Sequence, residues 1–214
     1  NVYAARIDTS MTLATATTDT KTSNRLIIGS GGLIANGALS VTTGLWFGST
    51  GNSEAVIFNN NTLSIGDTAN ITTSGQIRAS SITKFGAGTL VLQATQPNFG
   101  GSINVNQGAL TLNYAPAGAT GSVTTTPVTN VGGNGGTIYL NGANVTLNLL
   151  GGNDAYGTGV NTIFNNSVVI GDYNPIVQIF ADRSGGNLSD RRAVIGGNFT
   201  FGQNTAETGQ QVRF

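Results

Sequence analysis

Cysteine and histidine are both absent from this chain, and lysine, arginine, aspartate and glutamate together make up only 8% of it. Each gap removes a class of chemistry. Without histidine there is no Ser-His-Asp or Cys-His nucleophile system, and the commonest metal ligand is missing. Without cysteine there is no disulfide framework, a composition that fits either a reducing compartment or an export route on which stray bridges are harmful. The charged fraction compares with about 25% in an average soluble protein, and nine basic residues balance nine acidic ones, so the basic footprint that phosphate neutralisation requires is lacking. Nucleic acid is therefore not an expected partner. No run of about 18 apolar residues occurs, so no helix of this segment is expected to span a bilayer. Asn1-Val2-Tyr3-Ala4-Ala5 lacks the basic start and apolar core of a secretion signal, which places any such signal upstream.

What fills the chain instead is Gly, Asn, Thr and Ser, with 32 glycines against 4 prolines. Apolar runs of a few residues recur between clusters of these polar residues, and a 3.6-residue period never persists for three turns. The expected class is all-β. Strands are expected around Leu26–Ile28, Leu39–Val41, Leu45–Phe47, Ala55–Phe58, Leu63–Ile65, Thr89–Leu92, Ile103–Val105, Leu110–Leu112, Thr137–Leu140, Val145–Leu149, Val168–Ile170, Ile176–Phe180 and Phe199–Phe201. Most alternate apolar with Thr, Ser or Asn, so one face is buried and the other wet.

Hairpins would need repeated two-residue turns, and Asn36-Gly37 and Asn141-Gly142 supply two. Elsewhere the punctuation is looser, as in Gly29–Gly32 and Asn130–Gly136, and it recurs at roughly 20-residue intervals when strands are grouped in pairs. That spacing favours a right-handed parallel β-helix, a solenoid of roughly ten coils over residues 1–214 with short loop excursions. At about 4.8 Å per coil the rod would be on the order of 45 Å long. One coil cannot bury its own apolar face, so stability is shared between neighbours and the ends need caps. No cap is evident, and the expectation is a segment of a longer protein.

The most specific motif is Lys84-Phe85-Gly86-Ala87-Gly88-Thr89-Leu90-Val91-Leu92, followed by Phe99-Gly100-Gly101-Ser102-Ile103-Asn104-Val105-Asn106-Gln107-Gly108-Ala109-Leu110-Thr111-Leu112. It resembles the passenger-associated repeat of bacterial autotransporters, which runs roughly K-x-G-x-G-T-L-x-L, then an aromatic, then G-x-T-x-V-x-x-G-x-L-x-L. Lys84, Gly86, Gly88, Thr89, Leu90 and Leu92 match the first half, and Gly101, Val105, Gly108, Leu110 and Leu112 the second. Phe99 stands where a tyrosine is usual, Pro97 where asparagine is usual and Ile103 where a small polar residue is common. The match covers about thirty residues. The resemblance implies a secreted or surface-displayed β-helix on the bacterial outer surface, and it carries no catalytic group. It also implies that the lack of cysteine reflects export.

Three segments depart from the repeating texture: threonine-rich Met11 to Arg25, Ala115 to Thr129 with Pro116 and Pro127, and Asp182 to Arg192, which is expected as an exposed charged loop. Gly151-Gly152-Asn153-Asp154-Ala155-Tyr156-Gly157 resembles half of a calcium-binding nonapeptide repeat. One copy cannot cage an ion, and Gly132-Gly133-Asn134-Gly135-Gly136 lacks the aspartate, so both read as turns. Thr111, Thr146 and Thr200 stand within strands, but no evenly repeated T-x-T marks an ice-binding face. Six Asn-x-Ser/Thr triplets begin at Asn60, Asn70, Asn144, Asn165, Asn187 and Asn198. Most are expected to be unmodified, with several asparagines stacked as ladders along turns. The chain ends in Phe214, as outer-membrane barrels often do, without the long alternating strands of a barrel before it.

The expected function is non-enzymatic: a β-helical passenger or stalk that projects, adheres, or self-assembles into a surface filament or sheath. The alternative is a β-helical polysaccharide lyase or glycosidase, which would need convergent carboxylates or a carboxylate-bound calcium. Asp67, Asp154, Asp172 and Asp182 are scattered singly, and Asp182, Arg183, Asp190 and Arg191 are the first residues to test for such an activity. Tyr3, Trp46, Tyr114, Tyr156 and Tyr173 could stack on sugars. Candidate ligand or assembly contacts are Trp46, Tyr156, Asp182, Arg183, Asp190, Arg191 and Arg192. No cofactor is expected, and the expected partners are copies of the chain, neighbouring surface proteins or glycans.

Overall fold

The computed structural model describes residues 2–14, 25–30, 32–66, 77–93, 96, 98–113, 133, 135–142, 144–151, 162–171, 177–183, 193–195, 199–201 and 212–213. Within them the chain is all-β, with 21 short strands and no helix. Every strand pairing is parallel. All thirteen strands expected from the sequence are present, most on apolar-polar alternation and the others, such as Leu26–Ile28 and Val168–Ile170, on short apolar runs bounded by turn residues.

Two sheets have eight strands each. The first runs Ala5–Ile7, Gly32–Ala35, Ala55–Asn59, Ile82–Phe85, Ile103–Val105, Thr137–Leu140, Ser167–Ile170 and Phe199–Phe201 in spatial order. The second runs Met11–Leu13, Leu39–Val41, Leu63–Ile65, Thr89–Gln93, Ala109–Asn113, Thr146–Gly151, Val177–Arg183 and Val212–Arg213. Spatial order follows sequence order in both. After each strand of the first sheet the chain contributes one to the second, then returns beside its previous strand. A third sheet joins Arg25–Ile28, Gly44–Phe47 and Ile77–Arg78, and a fourth pairs Thr162–Phe164 with Ala193–Ile195.

The step between register partners is wider than the sequence suggested. Lys84 pairs with Val105, and Val105 in turn with Leu140, steps that match the 21-residue and 35-residue separations of the hydrogen bonds Gly86–Gln107 and Asn106–Asn141 beside them. Among the described residues each long sheet has eight strands, against the roughly ten coils expected. Asn36-Gly37 and Asn141-Gly142 form no hairpin. Each lies where the chain passes from the first sheet to the second, between Ala35 and Leu39 and between Leu140 and Thr146.

The interior is built from aliphatic columns. Leu39, Leu63, Leu90, Leu110 and Leu147 lie in register, and so do Val41, Ile65, Leu92, Leu112 and Leu149, all buried. Each fully buried side chain of this size contributes about 1.5–3 kcal/mol relative to exposure, so the columns dominate the stability of the stack. The outer face is held by ladders of the expected kind. The Asn36 amide donates to Asp8 Oδ1 at 2.7 Å, the Asn60 amide to Asn36 Oδ1 at 3.0 Å, and the Asn141 amide to Asn106 Oδ1 at 3.4 Å. Asn36 first, then Arg6, holds the Asp8 carboxyl below its ordinary pKa by hydrogen bonding.

Two of the segments set apart by composition are partly strand. Met11–Leu13 pairs with Leu39–Val41, because Met-Thr-Leu keeps the apolar-polar-apolar alternation despite its threonine-rich surroundings, and Arg25 opens a strand of the third sheet. Asp182 and Arg183 end the strand Val177–Arg183, opposite Leu150 and Gly151, and so do not belong to a loop. The ladder carries the backbone past the apolar run, since pairing is made by the main chain. Thr111, Thr146 and Thr200 share no column: their partners are Asn148, Ala109 and Val169. The Thr111 hydroxyl is buried and accepts from the Asn148 amide at 3.0 Å.

Candidate functional site

Two cationic arrangements stand out, one inside the sheets and one outside. The inner one explains the head of the K-x-G-x-G motif. Lys84 occupies an inward position of the first sheet, in register with Ile57 and Val105, and its side chain is fully buried. Its ammonium donates to the carbonyls of Gly86 and Gln107, both at 2.8 Å, with Phe85 O at 3.4 Å. Gln107 answers from the next repeat, its side-chain Oε1 accepting from Gly86 N–H at 3.2 Å. Gly86 has φ +84°, and a Cβ there would lie 2.3 Å from the Asn59 carbonyl oxygen, so the turn that offers its carbonyl to Lys84 must be glycine. Burial pushes the Lys84 ammonium down to about 8. Every donor of this group is spent on neighbouring turns, which makes Lys84 a clamp between repeats.

The outer arrangement centres on Trp46, the one tryptophan of the chain. Its strand Gly44–Phe47 is the middle of the three-stranded sheet, with alternating burial that turns Leu45 and Phe47 inward and leaves Trp46 half-buried on the outer face. Arg25 comes from one flanking strand and Arg78 from the other. Their guanidinium carbons lie 3.9 Å and 4.5 Å from the indole centroid. These are stacking distances, at which each cation is attracted by the ring quadrupole.

Arg78 is fixed from three sides. It pairs in register with Trp46. Its neighbour Ile77 donates its N–H to Gln96 Oε1 at 2.9 Å, and the buried Gln96 amide donates in turn to Gln93 O at 2.8 Å, so the free edge of this short strand is capped. Gly51, at φ +74°, lets the 48–51 turn approach the Arg78 stem, since a Cβ there would lie 2.6 Å from Arg78 Cβ.

Of the aromatic residues singled out from the sequence, Tyr3 is exposed and Trp46 carries the two arginine contacts. Both of its flanking strands bring a guanidinium to the ring, so the indole does not present a bare face to a sugar. Asp182 and Arg183 lie in the second sheet, and no strand pairing connects them to the sheet of Trp46. Tyr156, Asp190, Arg191 and Arg192 lie outside the described residues, as do Asp67, Asp154, Asp172, Tyr114 and Tyr173. Among the described residues no three of His, Cys, Asp and Glu converge as a metal site would require, and no helix is long and apolar enough to cross a membrane. Gly133 and Gly135 adopt positive φ, as turn residues do.

Arg25 and Arg78 were not anticipated beside Trp46. They stand 21 residues before it and 32 after it, a spacing that no local pattern encodes. No protein-family model, curated protein or solved structure matches the chain. The autotransporter resemblance rests on the motif residues themselves.

Proposed function

We propose that the chain is a right-handed parallel β-helix acting as a non-enzymatic extracellular structural or adhesive element, a passenger or stalk on the bacterial outer surface that self-assembles end to end. The observation that carries this reading is the unbroken parallel order of two eight-stranded sheets over a continuous aliphatic interior. Handedness follows from the strong preference of parallel crossovers for the right hand. Such a stack grows by one strand spacing per repeat, to on the order of 35 Å for eight strands. A parallel strand edge is a template for pairing with a further strand, and that is the contact end-to-end assembly would use. The interior supports a scaffold role, because Lys84, the cation buried there among the described residues, is consumed by backbone carbonyls.

Negative-stain electron microscopy with sedimentation, at neutral pH with and without a calcium chelator, tests the proposal. Regular filaments are expected in both conditions, whereas isolated short rods would overturn end-to-end assembly and leave a monomeric passenger or stalk. Compact particles without a long axis, or release of reducing or unsaturated sugar ends from a polysaccharide panel, would overturn it.

A further inference from the structure

The chain carries few cations, nine lysines and arginines in all, yet it gathers two of them on one indole. Like charges held this close repel, so their placement calls for a compensating anion. The described residues supply none. The ion pair among them is Arg6 with Asp8. Asp8 also accepts from Asn36, and Glu54 accepts from the Thr83 hydroxyl. Stacking uses the flat face of each guanidinium and leaves the N–H donors along its edges, a rigid fork that matches the two oxygens of a carboxylate or sulfate.

We propose that the Arg25–Trp46–Arg78 ladder binds an acidic polysaccharide through its carboxylate or sulfate groups. The indole holds the two forks apart and limits their motion. Gln96 and Gly51 act as positioning residues for Arg78 through the contacts described above. A strip built on three adjacent strands suits a polymer with acid groups repeated along it better than a single small anion, because both forks can be filled by one chain. The choice of polysaccharide rests on the extracellular reading proposed above; the oxyanion chemistry stands without it.

Because Trp46 is the chain's one tryptophan, its emission reports on the site directly. Titration of the 214-residue protein with polygalacturonate, dextran sulfate and neutral dextran should give a saturable change with one or both acidic polymers and none with dextran. A response to polygalacturonate alone would assign carboxylate, and one to dextran sulfate alone would assign sulfate. Binding should weaken as salt is raised. Arg25→Gln and Arg78→Gln should each weaken it about tenfold or more, while Arg78→Lys, which keeps the charge and loses the fork, should fall between Arg78→Gln and the parent. Far-UV circular dichroism of each variant identifies loss of fold. Silence with both acidic polymers, or equal affinity in the exposed-site variant Arg25→Gln, would overturn the proposal. The same preparations viewed by electron microscopy separate the two readings: filaments that bind no polymer overturn this site alone, and binding by compact particles overturns the stalk alone.

Discussion

Lys84 and the Arg25–Arg78 pair solve the problem of a cation on a β-sheet in opposite ways. Lys84 points inward, loses its water, and recovers it by donating to carbonyls of two successive turns. The arginines lie on the outer face, with their guanidinium groups over the Trp46 ring. A cation whose donors are all spent on backbone holds the fold together, whereas one whose donors are left over is available to a ligand. Burial alone would not make this distinction, since a buried lysine is also the kind of group that serves as a nucleophile or base. Its partners decide.

The sharpest test of the contrast is Lys84→Ala. It leaves a cavity among Ile57, Val105 and their neighbours and strips the Gly86 and Gln107 carbonyls of a partner, so a loss of about 2–4 kcal/mol in denaturant unfolding is expected. Lys84→Met keeps most of the volume and should cost less, about 1–2 kcal/mol from the carbonyls alone. A neutral Lys84→Ala would mean that the clamp holds nothing. Gln96→Ala comes next, at about 1–3 kcal/mol, because it uncaps the buried N–H of Ile77.

The same lysine gives a pH signature that the arginines lack. Its folded-state value, about 8, lies below its ordinary 10.5, so between these limits the unfolded chain holds more protons than the folded one. Stability from this group therefore rises with pH through that window and is flat below it, where the lysine is charged in both states. Thermal melts of the parent should shift upward between pH 7.5 and 10, and Lys84→Met should lose that part of the slope. A parent melting point that falls across the window by as much as the variant's would refute the assignment.

Much of this division was legible from the sequence, for identifiable reasons. The strands announced themselves through alternation, as in Leu110-Thr111-Leu112, and the parallel arrangement through the scarcity of tight hairpin turns. Lys84 was visible as the head of a motif, although its role was not, because its acceptors are backbone carbonyls that every residue possesses. The repeat length was underestimated because the strands Ile77–Arg78 and Thr162–Phe164 are too short and too ordinary to mark a third and fourth sheet. Trp46 was singled out for being alone and aromatic. Arg25 and Arg78 reach it only through pairing between distant strands, and register over such distances is set by the fold as a whole. Asp182 and Arg183 illustrate the converse error: charge density suggested a loop, but ladder pairing is made by the main chain, which both residues supply opposite Leu150 and Gly151.

The smallest expected effect closes the comparison from the other side. Arg25 is exposed, so its stacking on Trp46 is worth about 0.5–1 kcal/mol, and its removal also relieves repulsion with Arg78 across the ring. Arg25→Ala should therefore change unfolding stability by under about 1 kcal/mol, less than Lys84→Met, while altering Trp46 emission because the ring loses a neighbouring cation. If Arg25→Ala instead destabilised the protein as much as Lys84→Ala, the outer ladder would be a second clamp, and the distinction between spent and unspent donors would no longer separate scaffold from site. A small stability change with a clear spectral one would keep the arginines on the functional side.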